Sequence, residues 1–183
     1  MSDFAVKYLD ESTWPDFARL VEKHNGVWGG CWCICFHEQI KGEDHRTRKE
    51  CLVREGRAHA ALVYDGPNAI GWCQFGRTDE LPAINRRKQY DLGLTQFPDW
   101  RITCFFVDKQ YRKKGVAVLA LEGALKEIAR QGGGVVESYP EDVEGRSTSS
   151  SFLYNGTVAM FERQGFRKDR QIGKNHWVVI KEA

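Results

Sequence analysis

An apolar strand that runs straight into a basic, glycine-containing turn and then a long amphipathic helix constrains this chain more than any other feature. The segment reads Arg101-Ile-Thr-Cys-Phe-Phe-Val-Asp-Lys-Gln-Tyr-Arg-Lys-Lys-Gly-Val-Ala117. A strand that is apolar from Cys104 to Val107 is expected at the centre of a sheet, covered on both faces. A helix start leaves backbone N–H groups unpartnered and carries partial positive charge. Gly115 lets a ligand approach the backbone closely. Arg112, Lys113 and Lys114 add charge around it, so the turn suits a pyrophosphate.

The rest of the chain sorts around this unit. Phe4 to Tyr8 is expected as a strand. A helix follows, capped by Ser12 or Thr13, with Pro15 in its first turn and its end before Asn25-Gly26. A second helix is expected over Asp44 to Glu55. Strands Ala58–Tyr64 and Ala69–Arg77 flank Asp65-Gly-Pro-Asn68 and form a hairpin. Residues 79–99 form a long excursion with a short basic helix near Asn85 to Gln89. A helix from about Lys114 to Gln131 presents Val118, Leu121, Leu125 and Ile128 on one face. A short strand Val135–Tyr139, a helix Asn155–Gln164 and a last strand His176–Ile180 complete the chain. With no repeat or linker, these elements predict an α/β (α+β) sheet domain, a single unit over residues 1–183.

Composition narrows the function classes. Hydrophobic residues make up 42% and charged residues 28%, as in an ordinary globular chain. A net charge of +2 gives no argument for nucleic acid as a partner. The N-terminal residues lack the apolar run of a signal peptide, and no stretch is long and apolar enough to span a bilayer. A cytoplasmic protein without a membrane partner is therefore expected. The six cysteines are expected as free thiols. Cys31, Cys33 and Cys35 would share one face of an extended segment, but their spacing and the lack of a second pair argue against a metal site.

The segment Trp100 to Phe166 resembles the GNAT N-acetyltransferase superfamily. The resemblance rests on the strand Cys104–Val107 with Arg112-Lys-Lys-Gly-Val-Ala117 and its helix, on Val135–Tyr139 behind that helix, and on Met160-Phe-Glu-Arg-Gln-Gly-Phe166 as a closing helix. It implies a mixed, mostly antiparallel sheet flanked by helices, with two splayed central strands. It implies acetyl-CoA as cosubstrate, with its pyrophosphate on the backbone amides of Arg112, Lys113, Lys114, Gly115, Val116 and Ala117. The pantetheine arm would pair with backbone groups of Phe106 and Val107, and a strand N–H would polarise the thioester carbonyl. The acceptor would be a primary amine, expected to belong to a small molecule and to attack directly. Homodimerisation stays open.

The chemistry is less defined. At pH 7 only about one amine in 2,500 is neutral, a cost of roughly 4.6 kcal/mol, which favours a positioned base. Arg101 stands about where some relatives carry an acid. Glu137 is the first substitute, ahead of Asp79, Glu80 and Glu141. Phe161 stands where many members carry a thiolate-protonating tyrosine. Tyr154 and Tyr139 are the replacements, Tyr154 lying about 10 Å along the axis if the closing helix extends that far. Trp28, Trp32, Phe36, Trp72 and Phe75 are either acceptor-pocket walls or core, and Arg86, Arg87 and Lys88 either guide an anion or form a solvated face. The rival readings are a CoA-binding protein of little catalytic power, a nucleic-acid-binding module, and a cysteine-based zinc or redox module.

Overall fold

The computed structural model describes residues 4–183. Seven strands form one sheet in the order β1-β2-β3-β4-β5-β7-β6. They are β1 (Ala5–Tyr8), β2 (His59–Asp65), β3 (Asn68–Arg77), β4 (Trp100–Val107), β5 (Val135–Ser138), β6 (Arg167–Gln171) and β7 (Trp177–Glu182). Every neighbouring pair is antiparallel except β4–β5. The expected mixed, mostly antiparallel sheet is therefore what the chain forms.

Five helices cover its two faces: α1 (Trp14–Lys23), α2 (His45–Arg54), α3 (Arg87–Leu92), α4 (Val116–Arg130) and α5 (Val158–Arg163). On one face, Phe17 and Val21 of α1 and Leu52 of α2 pack on Leu62, Trp72, Cys104 and Phe106. At the far end of that face Tyr90 of α3 packs with Tyr139, Val178 and Ile180. The other face holds Ile70, Cys73, Phe75, Ile102 and Phe105 under α4 and Phe161. Strand alternation makes this division: Trp72 and Cys73, or Phe105 and Phe106, point to opposite sides.

The α4 helix sits close because Gly123 has no side chain. A Cβ there would lie 2.7 Å from Val6 Cγ1 and 3.2 Å from the Ala61 Cβ. Val116, Ala120, Leu121, Ala124 and Ile128 form its buried stripe. Val118, expected in that stripe, is only half-buried and lines a cleft beside the basic turn.

Three expectations about elements change. The first helix starts at Thr13 without a side-chain cap from that residue. Asp10 fixes the turn ahead of it, accepting from the N–H groups of Ser12 at 2.8 Å and Thr13 at 3.1 Å. The closing helix begins at Val158 rather than Asn155, capped by Thr157. Tyr154 is thus outside it, and its helical offset from Phe161 does not apply. Strand β6, Arg167-Lys-Asp-Arg-Gln171, was not expected, since it carries no apolar alternation. It is an edge strand whose order comes from pairing with β7.

Candidate active site

The two central strands part after three residue pairs. β4 and β5 match only at Trp100–Val136, Arg101–Glu137 and Ile102–Ser138. Two local features drive them apart. Pairing of β4 with β3 jumps from Gln74–Cys104 to Phe75–Ile102, leaving Thr103 as a bulge residue. A bulge bends and twists its strand. On the other side Pro140 follows β5 and has no N–H to extend a ladder.

Residues 154–158 fill the start of the opening. The Phe105 N–H donates to the Tyr154 carbonyl at 2.6 Å, and the Asn155 side-chain amide donates to the Thr103 carbonyl. Behind them, Glu141 N–H donates to Gly156 C=O at 3.2 Å and Val158 N–H to Glu141 C=O at 3.0 Å. A short wedge therefore stands between β4 and the chain that leaves β5. Asp108 N–H donates back to Ile70 of β3. By alternation Phe106 also bonds toward β3, while Phe105 and Val107 face the opening. The expectation that the Phe106 backbone would pair with a ligand is thereby corrected. The Phe106 ring packs on Trp72 at 4.8 Å and His24 at 4.9 Å, and Val107 carries the open backbone groups.

Beyond the wedge lies a cleft of about 320 Å³. Phe105, Phe106, Val107, Arg112, Lys113, Gly115, Val116 and Ala117 line its strand and turn side, and Leu153, Thr157 and Met160 its opposite side. The turn is built for close approach. Lys113 (φ 61°) and Gly115 (φ 80°) are left-handed, an arrangement that turns successive N–H groups to one side. The first intrahelical bond here runs from Leu119 N–H to Gly115 C=O at 3.0 Å, so the amides of Val116, Ala117 and Val118 precede it and point outward. A Cβ on Gly115 would meet nothing within 4 Å: the space above it is open. Arg112 reaches across to Ser150 Oγ at 3.0 Å. Lys114 departs from expectation, since its ammonium lies over the Tyr111 ring at 5.1 Å and outside the cleft lining.

A second cavity, of about 190 Å³, lies on the other side of the wedge. Phe36, Asn85, Arg86, Tyr139, Tyr154 and His176 are among its walls. Tyr154 Oη accepts from Asn85 Nδ2 at 3.1 Å, and burial raises its phenol above the ordinary value. Burial pulls the His176 imidazole down, with Arg86 next in effect, so it is neutral at pH 7. Of the aromatic residues expected as pocket walls or core, Trp28 lines the larger cleft and Phe36 the smaller cavity. Trp32, Trp72 and Phe75 are core.

Glu137 is not an exposed strand-edge carboxylate. It is 1% exposed, and Oε1 takes the Tyr90 hydroxyl at 2.7 Å, the Arg101 Nε at 3.2 Å and the Tyr139 hydroxyl. Arg101 also donates to the Leu81 carbonyl at 2.7 Å. Burial, then the Glu137 charge, pushes both phenols up. This is a closed ion-pair network holding α3 and the 79–99 excursion on the sheet. Glu80 likewise anchors its own turn, accepting from Arg77 N–H at 2.8 Å and contacting His59 at 3.2 Å. Glu141 pairs with Arg146 at 3.2 Å. Phe161 is core, edge-on to Phe105 at 5.9 Å and Phe166 at 4.9 Å.

A family model described as the acetyltransferase (GNAT) family matches residues 17–166. The chain belongs to the GNAT acetyltransferase family. Solved GNAT structures share its fold. A histone acetyltransferase HPA2 and related acetyltransferase from Corynebacterium glutamicum superposes with a TM-score of 0.57 at 14% identity, covering 99% of this chain and 96% of that one. A mosquito arylalkylamine N-acetyltransferase like 5b gives 0.57 at 10% identity, over 99% and 100%. The ribosomal-protein-S18-alanine N-acetyltransferase of Escherichia coli gives 0.52 at 10% identity, over 98% and 93%. No curated protein sequence matches.

Within this GNAT fold, sequence reasoning missed Asn85, Asn155 and His176. Each sits in a loop or at a strand start, where no periodicity marks it; only the topology brings them together. The cysteines also differ from expectation. Residues 31–35 are turns, not an extended strand, with Trp32 (φ 50°) and Cys33 (φ 54°) left-handed. Cys33 is buried against Cys104, while Cys31 and Cys35 face outward. Among the described residues, no group of three or more His, Cys, Asp or Glu side chains converges as a metal site.

The Glu137 network yields a test. Glu137→Gln leaves the Arg101 charge buried without its partner, which costs about 3 kcal/mol. Urea unfolding should show that loss as a lowered midpoint with an unchanged slope. A variant as stable as the parent would remove the structural role.

Proposed function

We propose that this GNAT protein transfers the acetyl group of acetyl-CoA to a primary amine of a small molecule, by direct attack, in the cytoplasm. The observation that carries the proposal is the pair of cavities on either side of one wedge, residues 154–158. The larger opens onto a basic turn with left-handed backbone and free helix-start amides, which suits a pyrophosphate. The open space above Gly115 fits close passage of such a group. The smaller cavity, at about 190 Å³, suits a compact acceptor better than a polymer. When bound, acetyl-CoA supplies the activated thioester.

The residues have distinct tasks in this reading. Arg112 and Lys113 and the amides of Gly115, Val116 and Ala117 hold the pyrophosphate. Val107 pairs with the pantetheine arm as an added strand. The Phe105 amide is bonded to Tyr154, so Val107 also offers the nearest strand N–H for the thioester carbonyl. The neutral imidazole of His176 takes the proton from the acceptor ammonium. Tyr154, at the wedge, protonates the departing thiolate in place of the tyrosine that Phe161 replaces. Glu137 and Tyr139, bonded to each other, hold the cavity floor and move no proton.

A second reading, a CoA-binding protein of little catalytic power, draws on Phe161. A thiolate of pKa about 8.5 leaves tolerably without a dedicated acid, so that substitution slows transfer more than it prevents it.

Calorimetric titration with acetyl-CoA should show binding to the parent chain and none to a folded Gly115→Trp variant, whose indole fills the open space. Failure of the parent to bind at moderate salt would overturn the proposal and the CoA-binding alternative together. With a responsive amine from a panel, Tyr154→Phe should lower kcat about tenfold to a hundredfold and leave acetyl-CoA affinity within twofold. An unchanged kcat would take the acid role from Tyr154.

A further inference from the structure

Cys31 and Cys35 take no part in the chemistry above, yet the fold brings them together. Residues four apart in an extended strand lie about 13 Å apart. Here the sulfurs are 2.8 Å apart. Turns do this: Cys31 N–H donates to Val27 C=O and Ile34 N–H to Cys31 C=O, both at 2.9 Å. Trp32 and Cys33 between them adopt left-handed backbone, which non-glycine residues disfavour. Cys35 is exposed and Cys31 half-buried. The other close sulfur pair, Cys33 and Cys104 at 3.0 Å, is buried, beyond the reach of solutes.

The two thiols are unequal. Either sulfur can be the donor of this contact; a bond from Cys35, with backbone donors, brings Cys31 down to about 6 against the opposing effect of burial. The same bond pushes Cys35 up, because its proton is held. Cys31 is thus the ready nucleophile, with its partner in contact.

We propose that Cys31 and Cys35 are a peroxide-sensitive dithiol that closes to an intrachain disulfide beside the acceptor cavity. The Cys31 thiolate attacks a hydroperoxide oxygen: the S–O bond forms, the O–O bond breaks, and the departing hydroxide takes a proton from solvent to leave as water. Cys31 is then a sulfenic acid and no longer holds the Cys35 proton. The Cys35 sulfur attacks Cys31; the S–S bond forms, the S–O bond breaks, and the released hydroxide leaves as water with the Cys35 proton. Two thiols have lost two electrons to one peroxide. A thiol reductant reverses the link. The closed loop is the one between Trp28, a wall of the cofactor cleft, and Phe36, a wall of the acceptor cavity. Oxidation therefore fixes the segment that joins the two sites.

The test is peptide mapping of the intact, folded protein after hydrogen peroxide and alkylation. Trypsin releases residues 24–41 with all three cysteines of the segment. The expected product lacks two hydrogens, carries its link between Cys31 and Cys35, exceeds any other pair at least tenfold, and is restored by dithiothreitol. Cys35→Ser should stop at a dimedone-reactive sulfenic acid on Cys31 or proceed to sulfinic acid, and Cys31→Ser should give no link. Circular dichroism checks that both variants fold. A Cys33–Cys104 link as the main product, or sulfinic acid on Cys31 in the parent chain without a disulfide, would overturn the proposal.

Discussion

The hydrogen bonds that seat residues 154–158 between β4 and the chain leaving β5 are the constraint on which the rest of this site depends. Two parallel neighbours would otherwise continue to pair, and a continuous sheet has no room for a ligand strand. The Tyr154 carbonyl and the Asn155 side chain satisfy the β4 groups nearest the fork, Phe105 N–H and Thr103 C=O. Glu141 and Pro140 do the same office on the β5 side, one by bonding the wedge and one by having no N–H. Buried backbone groups need partners. The wedge meets that need at the fork and leaves Val107 open farther on, where the larger cleft begins. It also divides the larger cleft from the smaller cavity, with Tyr154 on the smaller cavity's side.

The two faces of the sheet have different work. The face under α4 and α5 is apolar, and Phe161 belongs to it. The face under α1–α3 carries two buried polar clusters. Arg101, Glu137, Tyr90 and Tyr139 form one. In the other, Lys49 donates to Gln74 Oε1 at 2.5 Å and approaches His37 Nε2 at 3.2 Å, and Gln74 donates to Thr103 Oγ1 at 3.1 Å. No carboxylate joins the lysine here, and burial brings its ammonium down to about 8. Burial, then the Lys49 charge, brings His37 to about 2, so it stays neutral and accepts from the lysine. Such clusters add little net stability but are costly to break. They tie α2, α3 and the long excursion to the strands beside the fork.

Much of this was legible in the sequence because it depends on local rules. The hairpin at Asp65-Gly-Pro-Asn68, the apolar β4 and the glycine-started α4 each announce themselves by turn chemistry or periodicity. The cleft at the basic turn was also within reach, since that turn is contiguous in the chain. What escaped depends on distant residues. Strand β6 is written in charges and takes its order from β7. Glu137 could be taken for a base because nothing local says that Arg101, its register partner on the adjacent strand, stands beside it. The closing helix was expected from Asn155, because Asn155 competes with the Thr157 cap as a start signal, and Tyr154 could share its face only if it extended one residue farther. Cys31 and Cys35 meet only because Trp32 and Cys33 take a backbone conformation that their side chains disfavour.

Amide hydrogen exchange with and without acetyl-CoA tests the central claim most directly, since that claim concerns which backbone groups the wedge leaves open. The account predicts new protection at Val107 and at Gly115 to Ala117, with the Phe105 amide already protected in the free protein by its bond to Tyr154. Protection gained at Phe105 with none at Val107, or confined to residues remote from the fork, would contradict it.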